Sequence, residues 1–290
     1  MPEFTPIDIN RGTTNVVLPE EVASEIWAAT LEESAFMQLA RKIQLPGNGL
    51  TVQTITGEPV ADWVDETAAK PVSMHTFGRK AITPYKLAVI EPFSMEFVRD
   101  AAKLYAECVR RAPYALAKKF DQTILGTTAP GSNFDVLGDA TTISIASNQY
   151  QQFLAADAAI TAANGIMNGI ALSPAGKSLV LGALDGQQRP LFTAGVESNT
   201  VGNILGAPVQ VKKALAIPNS NIVGIAGDFD DALYGTVEGV KMAISDQATL
   251  TTEQGTINLW QQNMIAVRWE IEVGFSVKDK AEFVLLTNEA

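Results

Sequence analysis

The most regular alternation of apolar and polar residues lies near the C-terminus, in MIAVRWEIEVGFSVKD. Every odd position from Ile265 to Val277 is apolar, and mostly polar or small residues separate them over these thirteen residues. A period of two predicts a single β-strand with one buried and one exposed face. At about 3.3 Å per residue the strand would span roughly 43 Å, which is long for a globular protein.

A long helix is predicted near the middle of the chain, where apolar residues recur at helical spacing. Ser94 is a suitable N-cap, Glu96 lies in the first turn, apolar positions continue to Ile124, and Gly126 ends the helix. It would span roughly 45 Å at 1.5 Å per residue, with a bend at Pro113. Helix and strand match in length, so we expect the helix to pack along the strand's apolar face.

The chain before this helix is predicted to form an arm, a helix and a projecting β-loop. Residues 1–17 lack periodicity, and Pro19 then opens an interrupted helix that runs to about Ile43. Between Leu50 and Ile90, two stretches with β character flank VADWVDETAAKPVS, which is too long for a tight turn. A two-stranded ribbon is marginally stable alone, so we expect a neighbouring subunit to support it.

The middle of the chain mixes strand and helix patterns. Residues 127–146 are rich in Gly, Thr and Ser, which predicts loops, and residues 148–163 predict a helix that an Asn-Gly pair ends. Later segments include a strand that ends at Ala226, followed by a turn at 227–228. This alternation predicts an α/β domain.

Composition narrows the classes of protein that fit these patterns. The chain has 290 residues, of which 47% are hydrophobic and 18% charged, so it is not disordered and partners would cover much of its surface. Length alone suggests about two domains. A net charge of -11 argues against a protein that binds nucleic acid through its whole surface. Contact with nucleic acid through a small basic patch stays compatible with this charge.

Enzyme and metal chemistry find little support in the sequence. The one cysteine, Cys108, falls in an apolar helical pattern. The one histidine, His75, has no partner for a catalytic triad, because the sequence contains no GxSxG motif. Asp228, Asp230 and Asp231 lack the other ligands of a calcium loop, and Asp228 is better placed as a helix cap. We expect no enzyme, cofactor or metal. Since no signal peptide or apolar run of membrane length occurs, we also expect a soluble protein made in a cytoplasm.

The segment SPAGKS ends like a phosphate-binding loop but does not meet its requirements. The glycine that such a loop needs five residues before the Gly-Lys pair is Ala171, and Pro174 removes an amide donor. We therefore expect no nucleotide site. Ser173 and Pro174 instead predict the cap and first turn of a helix.

A series of short motifs runs from the predicted loop to the C-terminus. In order and spacing they resemble the tailed-bacteriophage major capsid proteins over roughly residues 16–288. The motifs are WVDE at 63–66, Phe77, YKLA at 85–88, Ser94, Asp100, Asp121, LG at 125–126, SPAGKSLVLGALDGQQRPLF, ILGAPV, GDFDDALYG, Asn263, Arg268, Glu270 and AEFVLL.

The resemblance implies an α+β fold, the phage major capsid protein fold. Its parts would be an N-terminal arm, an extended β-loop, a peripheral domain with a long spine helix and long strands, and an α/β axial domain. On this sequence they fall at 1–17 (arm), 18–48 (N-terminal helical segment), 49–92 (extended loop), 93–126 (spine helix), 127–240 (axial domain) and 241–290 (peripheral long strands).

The function implied is that of a shell protein. Hexamers and pentamers would form an icosahedral shell of a virion, assembled in the bacterial cytoplasm, that encloses double-stranded DNA without sequence-specific binding. A portal would be a partner, decoration proteins are compatible with the fold, and since Met1 lies just before the arm we expect a separate scaffolding protein or none. No membrane is expected. The alternative is an encapsulin-like compartment, which shares this fold and encloses protein cargo.

The resemblance also implies two sets of site residues. Contacts between subunits would come from the loop: Trp63, Asp65, Glu66, Lys70, Phe77, Arg79 and Lys80. Some capsids of this type crosslink themselves, and Lys70, Asn263 and Glu270 fall where the attacking lysine, the asparagine and the proton-accepting glutamate would lie. The residues themselves favour ordinary roles, with Asn263 in a turn, Glu270 on the polar face of a strand and Lys70 solvated.

Overall fold

The structure is a computed structural model that describes residues 28–30, 33–67, 69–184, 187, 189, 191–192, 202–218, 220–252 and 255–289. The predicted arm at 1–17 and the start of the first predicted helix lie outside these residues. The elements are α1 (Ala35–Leu39), β1 (Arg41–Gln44), β2 (Leu50–Gly57), β3 (Thr76–Ile82), β4 (Tyr85–Ser94), α2 (Met95–Asp100), α3 (Ala102–Leu125), β5 (Thr141–Ser144), α4 (Gln149–Ala162), β6 (Gly169–Leu172), α5 (Pro174–Leu181), β7 (Asn203–Ile204), β8 (Ala207–Val211), β9 (Ile222–Gly227), β10 (Ala232–Thr236), β11 (Lys241–Ser245), β12 (Thr249–Thr252), β13 (Gly255–Asn258), β14 (Met264–Val277) and β15 (Phe283–Thr287).

The predicted long strand is confirmed as β14, which is the centre of a five-stranded sheet, here called the peripheral sheet. On one edge β4 pairs with it over ten residues, from Ser94 opposite Met264 to Tyr85 opposite Val273. On the other edge β11 and β10 pair with successive parts of β14, and β1 extends the sheet beyond β10. Strands β4 and β14, which lie far apart in the sequence, therefore share one ladder.

The prediction of one exposed face on β14 holds only in the middle of the strand. There Arg268 is exposed, and Glu270 and Glu272 are half-buried. Near the C-terminal end Gly274 and Ser276 are buried, because Leu45 and Ile82 approach Gly274 and Ser276 donates a hydrogen bond to Asp135. A second layer of the same chain thus covers this end of the sheet.

The predicted long helix consists of two helices. The backbone leaves helical geometry at Ala101 (φ -124°, ψ 43°), which separates α2 from the 24-residue α3. Pro113 lies inside α3, so the interruption falls well before the proline at which a bend was expected. Ser94 is the N-cap of α2 without a side-chain hydrogen bond, whereas the end at Gly126 is confirmed.

Helix α3 packs on the peripheral sheet as the matching lengths predicted. Its Phe120 meets Phe275 of β14 edge to face with ring centroids 6.3 Å apart, and Phe134 from the loop after α3 joins both rings. Cys108 is half-buried against the same core. The buried side chains of this core from helix and strand include Leu116, Phe120, Ile124, Trp269, Ile271, Val273 and Phe275.

A six-stranded sheet in the order β5-β15-β9-β6-β8-β7, here called the axial sheet, carries α4 and α5. The predicted helix at 148–163 is confirmed as α4. The predicted strand is confirmed as β9, which ends one residue later than predicted, at Gly227, and Asp228 then caps a 3-10 helix where a turn was predicted. The loop prediction for 127–146 is wrong at its end, because Thr141–Ser144 pair in parallel with the C-terminal β15. Local composition does not show a pairing with a strand so distant in the chain.

Sheet membership departs from the predicted segment boundaries in three places. The helix predicted to reach Ile43 ends at Leu39, and Arg41–Gln44 form β1, an edge strand parallel to β10. Strand β10, inside the segment predicted as axial, belongs to the peripheral sheet, and β15, inside the segment predicted as peripheral, belongs to the axial sheet. The chain therefore crosses between the sheets twice in this region.

The projecting ribbon is formed by β2 and β3, which pair antiparallel from Leu50 opposite Ile82 outward. The second predicted β stretch divides at Thr83 and Pro84, after which β4 joins β14 instead of the ribbon. The described residues between the two ribbon strands form neither helix nor strand, and they are exposed. Among the helices that the structure describes, none has the length and hydropathy to span a membrane.

Candidate assembly surfaces

The projecting loop exposes large apolar side chains. Trp63 is fully exposed, and Val72, Met74 and Phe77 have relative exposures of 93%, 82% and 73%. The loop is held by contacts of its own, such as the hydrogen bond from Ser73 Oγ to the Val60 carbonyl at 3.1 Å. Soluble monomers rarely expose apolar groups in such a cluster. The loop tip therefore has the character of a surface that a partner covers.

Most residues predicted for contacts between subunits lie free on this loop. Trp63, Asp65, Glu66, Lys70, Phe77 and Arg79 are exposed. Lys80 differs, because its Nζ donates to the Val277 carbonyl at 2.6 Å and pairs with Asp135 at 2.7 Å, which ties the base of the ribbon to its own subunit. Sequence reasoning missed Val60, Val72 and Met74, whose signal was apolar residues within an otherwise polar loop.

The three residues of the predicted crosslink are not brought together within one subunit. Asn263 adopts a left-handed conformation (φ 48°) in the turn just before β14, and its carbonyl accepts from the Met95 amide at 3.1 Å. Glu270 lies in the middle of the strand, seven positions further, which corresponds to roughly 23 Å. Lys70 is exposed at the loop tip. A reaction among these groups would need residues from different copies of the chain.

The surroundings of Glu270 are charged and not apolar. Arg268 Nε lies 3.4 Å from its carboxylate, and Lys241 stands directly opposite it on β11. Glu238 and Glu272 line the same small depression. Within one subunit this site lacks the apolar surroundings that a proton-accepting glutamate would need.

The segment SPAGKS begins helix α5 as predicted. Ser173 Oγ accepts a hydrogen bond from the Gly176 amide at 3.2 Å, and Pro174 occupies the first turn. Gly176 is buried against β9, where a Cβ atom would lie 2.5 Å from the Val223 carbonyl oxygen. The glycine therefore allows close packing of the helix on the strand.

Asp228 is confirmed as a cap. Its carboxylate accepts from the Asp230 amide at 3.1 Å, from Asn168 Nδ2 at 2.7 Å and from the Ile166 amide at 3.0 Å. Asp231 pairs with Lys278 at 2.7 Å. Protein donors thus bind the carboxylates of Asp228 and Asp231.

Asp121 is a buried carboxylate that connects α3 to α1. It accepts from Ser34 Oγ at 2.6 Å and from the Ala35 amide at 2.8 Å, and it is fully buried. Burial raises the pKa of Asp121 to about 7, although the hydrogen bonds from Ser34 and Ala35 oppose that rise. An acid on α3 therefore caps the start of a helix 86 residues earlier.

The two connections between the sheets run side by side and contain a second buried acid. One connection holds the 3-10 helix Phe229–Asp231 and the other Lys280–Glu282, and the Asp228 amide donates to the Glu282 carbonyl at 3.2 Å. Glu282 is buried, and its Oε2 has no hydrogen-bond partner among the described residues. Burial, and then the charge of Asp231, raise the pKa of Glu282 to about 7. Lys278 lies 3.8 Å away and opposes that rise.

A long central strand, a long helix packed on it, a second sheet and a projecting apolar loop together define a subunit built for assembly into a shell. The chain matches the Phage capsid family over residues 14–288. It is 31% identical to the probable major capsid protein gp17 of Mycobacterium phage L5, over 93% of this chain and 89% of that protein, and 28% identical to its counterpart in Mycobacterium phage D29, over 93% and 90%.

Solved structures share this fold. A chain from Gordonia phage Cozz superposes with a TM-score of 0.75 at 21% identity, covering 89% of this chain and 87% of that one. A chain from the capsid of an empty GTA particle, computed with C5 symmetry, has a TM-score of 0.64 at 14% identity, covering 98% and 96%. The chain belongs to the phage capsid family, and its role is that of a major capsid protein.

Proposed function

We propose that this chain assembles as hexamers and pentamers into an icosahedral shell that encloses the double-stranded DNA of a tailed bacteriophage. The observation that carries this proposal is the projecting loop, whose Trp63, Val72 and Met74 side chains are exposed in the isolated subunit. A ribbon of two strands needs outside support, and a neighbouring copy offers it in every capsomer. The C5 symmetry of the GTA capsid, which has the same fold, supports the pentamer.

The proposed division of the subunit follows its sheets. The arm at 1–17 and the N-terminal segment at 18–48 would precede the loop, and the peripheral part would hold the ribbon base, α3 and the peripheral sheet. The axial part would hold the axial sheet with α4 and α5. We propose assembly in the bacterial cytoplasm, with a portal and separate scaffolding or decoration proteins as further partners. The relatives and structural neighbours are phage capsids, which favours this function over an encapsulin-like compartment.

A pair of substitutions at Trp63 tests the role of the loop. In the Trp63→Ser variant, an apolar contact with the neighbour is lost, and we expect electron micrographs of the expressed protein to show few or no shells. The Trp63→Phe variant keeps an aromatic contact and should still form them. Circular dichroism should show both variants folded, because Trp63 is fully exposed in the subunit. Normal shells from Trp63→Ser would contradict the proposed role of the loop.

Self-crosslinking through Lys70, Asn263 and Glu270 remains a proposal, and the three residues lie at three separate places on the subunit. Since Asn263 and Glu270 lie roughly 23 Å apart along one strand, the reaction requires that neighbouring copies bring them together. Boiling purified shells in detergent tests it. A ladder of multimers that disappears in the Asn263→Ala variant supports the reaction, and a single monomer band in the parent protein refutes it.

A further inference from the structure

Helix α3 carries an excess of positive charge in a chain whose net charge is -11. The helix contains two acidic residues. Glu107 lies on its solvent-facing side, and Asp121 is buried. Glu107 binds both Arg110 and Arg111 at 2.8 Å, and these bonds hold the pKa of Glu107 at about 2. The five basic residues of the helix are Lys103, Arg110, Arg111, Lys118 and Lys119.

Lys103, Arg110, Arg111 and Lys119 are exposed and Lys118 is half-buried. At 3.6 residues per turn the five span about half of the circumference of α3, opposite the Phe120 side that packs on the peripheral sheet, and they are here called the basic face. Lys103, Lys118 and Lys119 make no ion pair with any residue that the structure describes. From the first to the last the face extends roughly 24 Å. The 3-10 helix Lys213–Leu215 packs beside it, fixed by the bond from Gln122 Nε2 to the Ala216 carbonyl at 3.1 Å, and adds the exposed Lys213.

The opposite side of the peripheral sheet has balanced charge. Phe275 and the other odd-numbered side chains of β14 face α3, so Glu270 and Glu272 face the other way. Directly paired residues of antiparallel strands share a face, which places Lys86 and Lys241 there too. Lys86 pairs with Glu272 at 3.1 Å and Lys241 with Glu238 at 2.5 Å. Glu91, which pairs with Val267, lies on the α3 side of the sheet. The five basic residues of α3 still outnumber Glu91 and Glu107, so among these residues the two sides of the domain differ in charge.

We propose that the basic face of α3 contacts the backbone phosphates of the enclosed DNA, and that this side of the peripheral sheet therefore lines the interior of the shell. The inference rests on the proposed function. Lysine and arginine recognise phosphates without reading bases, in keeping with DNA of arbitrary sequence. One subunit would bind weakly because the rest of the chain is acidic, but many copies around one DNA molecule add their contacts.

The experiment compares two double variants with equal loss of charge. Lys118→Gln with Lys119→Gln removes two lysines from the basic face, and Lys86→Gln with Lys241→Gln removes two from the opposite side. Binding of a short fluorescein-labelled DNA duplex to full-length, unassembled protein is measured by anisotropy over a range of salt concentrations. The slope of log K against log salt should fall in magnitude by about 1.8 for the first variant, since each phosphate contact contributes about 0.9. It should be unchanged for the second.

Equal slopes for the parent protein and the first variant, or an equal loss in both variants, would overturn the proposal. So would tighter binding of poly-glutamate than of duplex, because the basic face would then suit an acidic protein segment. Electron micrographs of all three proteins keep this test separate from that of the proposed function. Shells from every protein, with no difference in DNA binding, would refute the DNA contact alone, whereas absence of shells from the parent protein would refute the proposed function.

Discussion

Asp121 shows how one side chain can join distant parts of this chain. It lies on the buried side of α3 with Ala117, Phe120 and Ile124, where a charged residue is costly unless donors surround it. The sequence places an acid among apolar residues at this spacing, which marks it as unusual. Its partner cannot be read from the sequence, because Ser34 and Ala35 are brought to it only by the tertiary fold.

We expect Asp121 to make subunit stability depend on pH near neutrality. Its pKa rises from an ordinary 3.8 to about 7, so between these values the folded state holds a proton that the unfolded state has lost. This residue's contribution to the free energy of unfolding is full below about pH 4 and is lost as pH rises through about 7. From about pH 5 to pH 8 the decrease should be on the order of 1 to 3 kcal/mol.

Denaturant unfolding of the unassembled protein at several pH values measures this effect. Glu282 changes stability in the same direction, because its pKa is raised too, so the parent protein alone does not isolate Asp121. The Asp121→Asn variant cannot ionise, and its stability should fall less over the same pH range. A variant with the same pH slope as the parent protein would show that Asp121 does not titrate there.

At the scale of elements, helices and strands were predicted correctly where the sequence signal is local. The predictions failed where pairing with distant segments determines the structure. Strand β14 is indicated by thirteen alternating residues and needs no partner to be recognised. The break at Ala101 has no such signal, since alanine favours helix, and the proline that does signal a bend lies inside an unbroken α3. Strands β1 and β5 were missed because each pairs in parallel with a strand far away in the chain.

The candidate surfaces follow the same division. The loop and its exposed Trp63 could be predicted from a stretch too long for a turn between two β segments. The contacts of Lys80 with Asp135 and the Val277 carbonyl could not be predicted from the sequence. These groups meet Lys80 only when the base of the ribbon packs on the end of β14. Likewise the sequence shows the basic residues of α3, but only the packing of Phe120 on Phe275 shows which half of the helix faces away from the peripheral sheet.

For the whole molecule, the exposed loop makes the isolated subunit and the assembled shell chemically distinguishable. In free subunits Trp63 and Glu66 lie on an exposed, irregular segment, and such loop tips are preferred sites of proteolysis. We expect chymotrypsin to cut first after Trp63 and a glutamate-specific protease to cut after Glu66, with mass spectrometry identifying both sites.

In shells a neighbouring copy would cover the loop, and both cuts should slow at least tenfold. Trp260, which is 72% exposed in the β13–β14 turn, is a second chymotrypsin site in free subunits, and cleavage after it is measured alongside. Equal cleavage after Trp63 in free and assembled protein would mean that the loop stays uncovered, and its role in assembly would have to be abandoned.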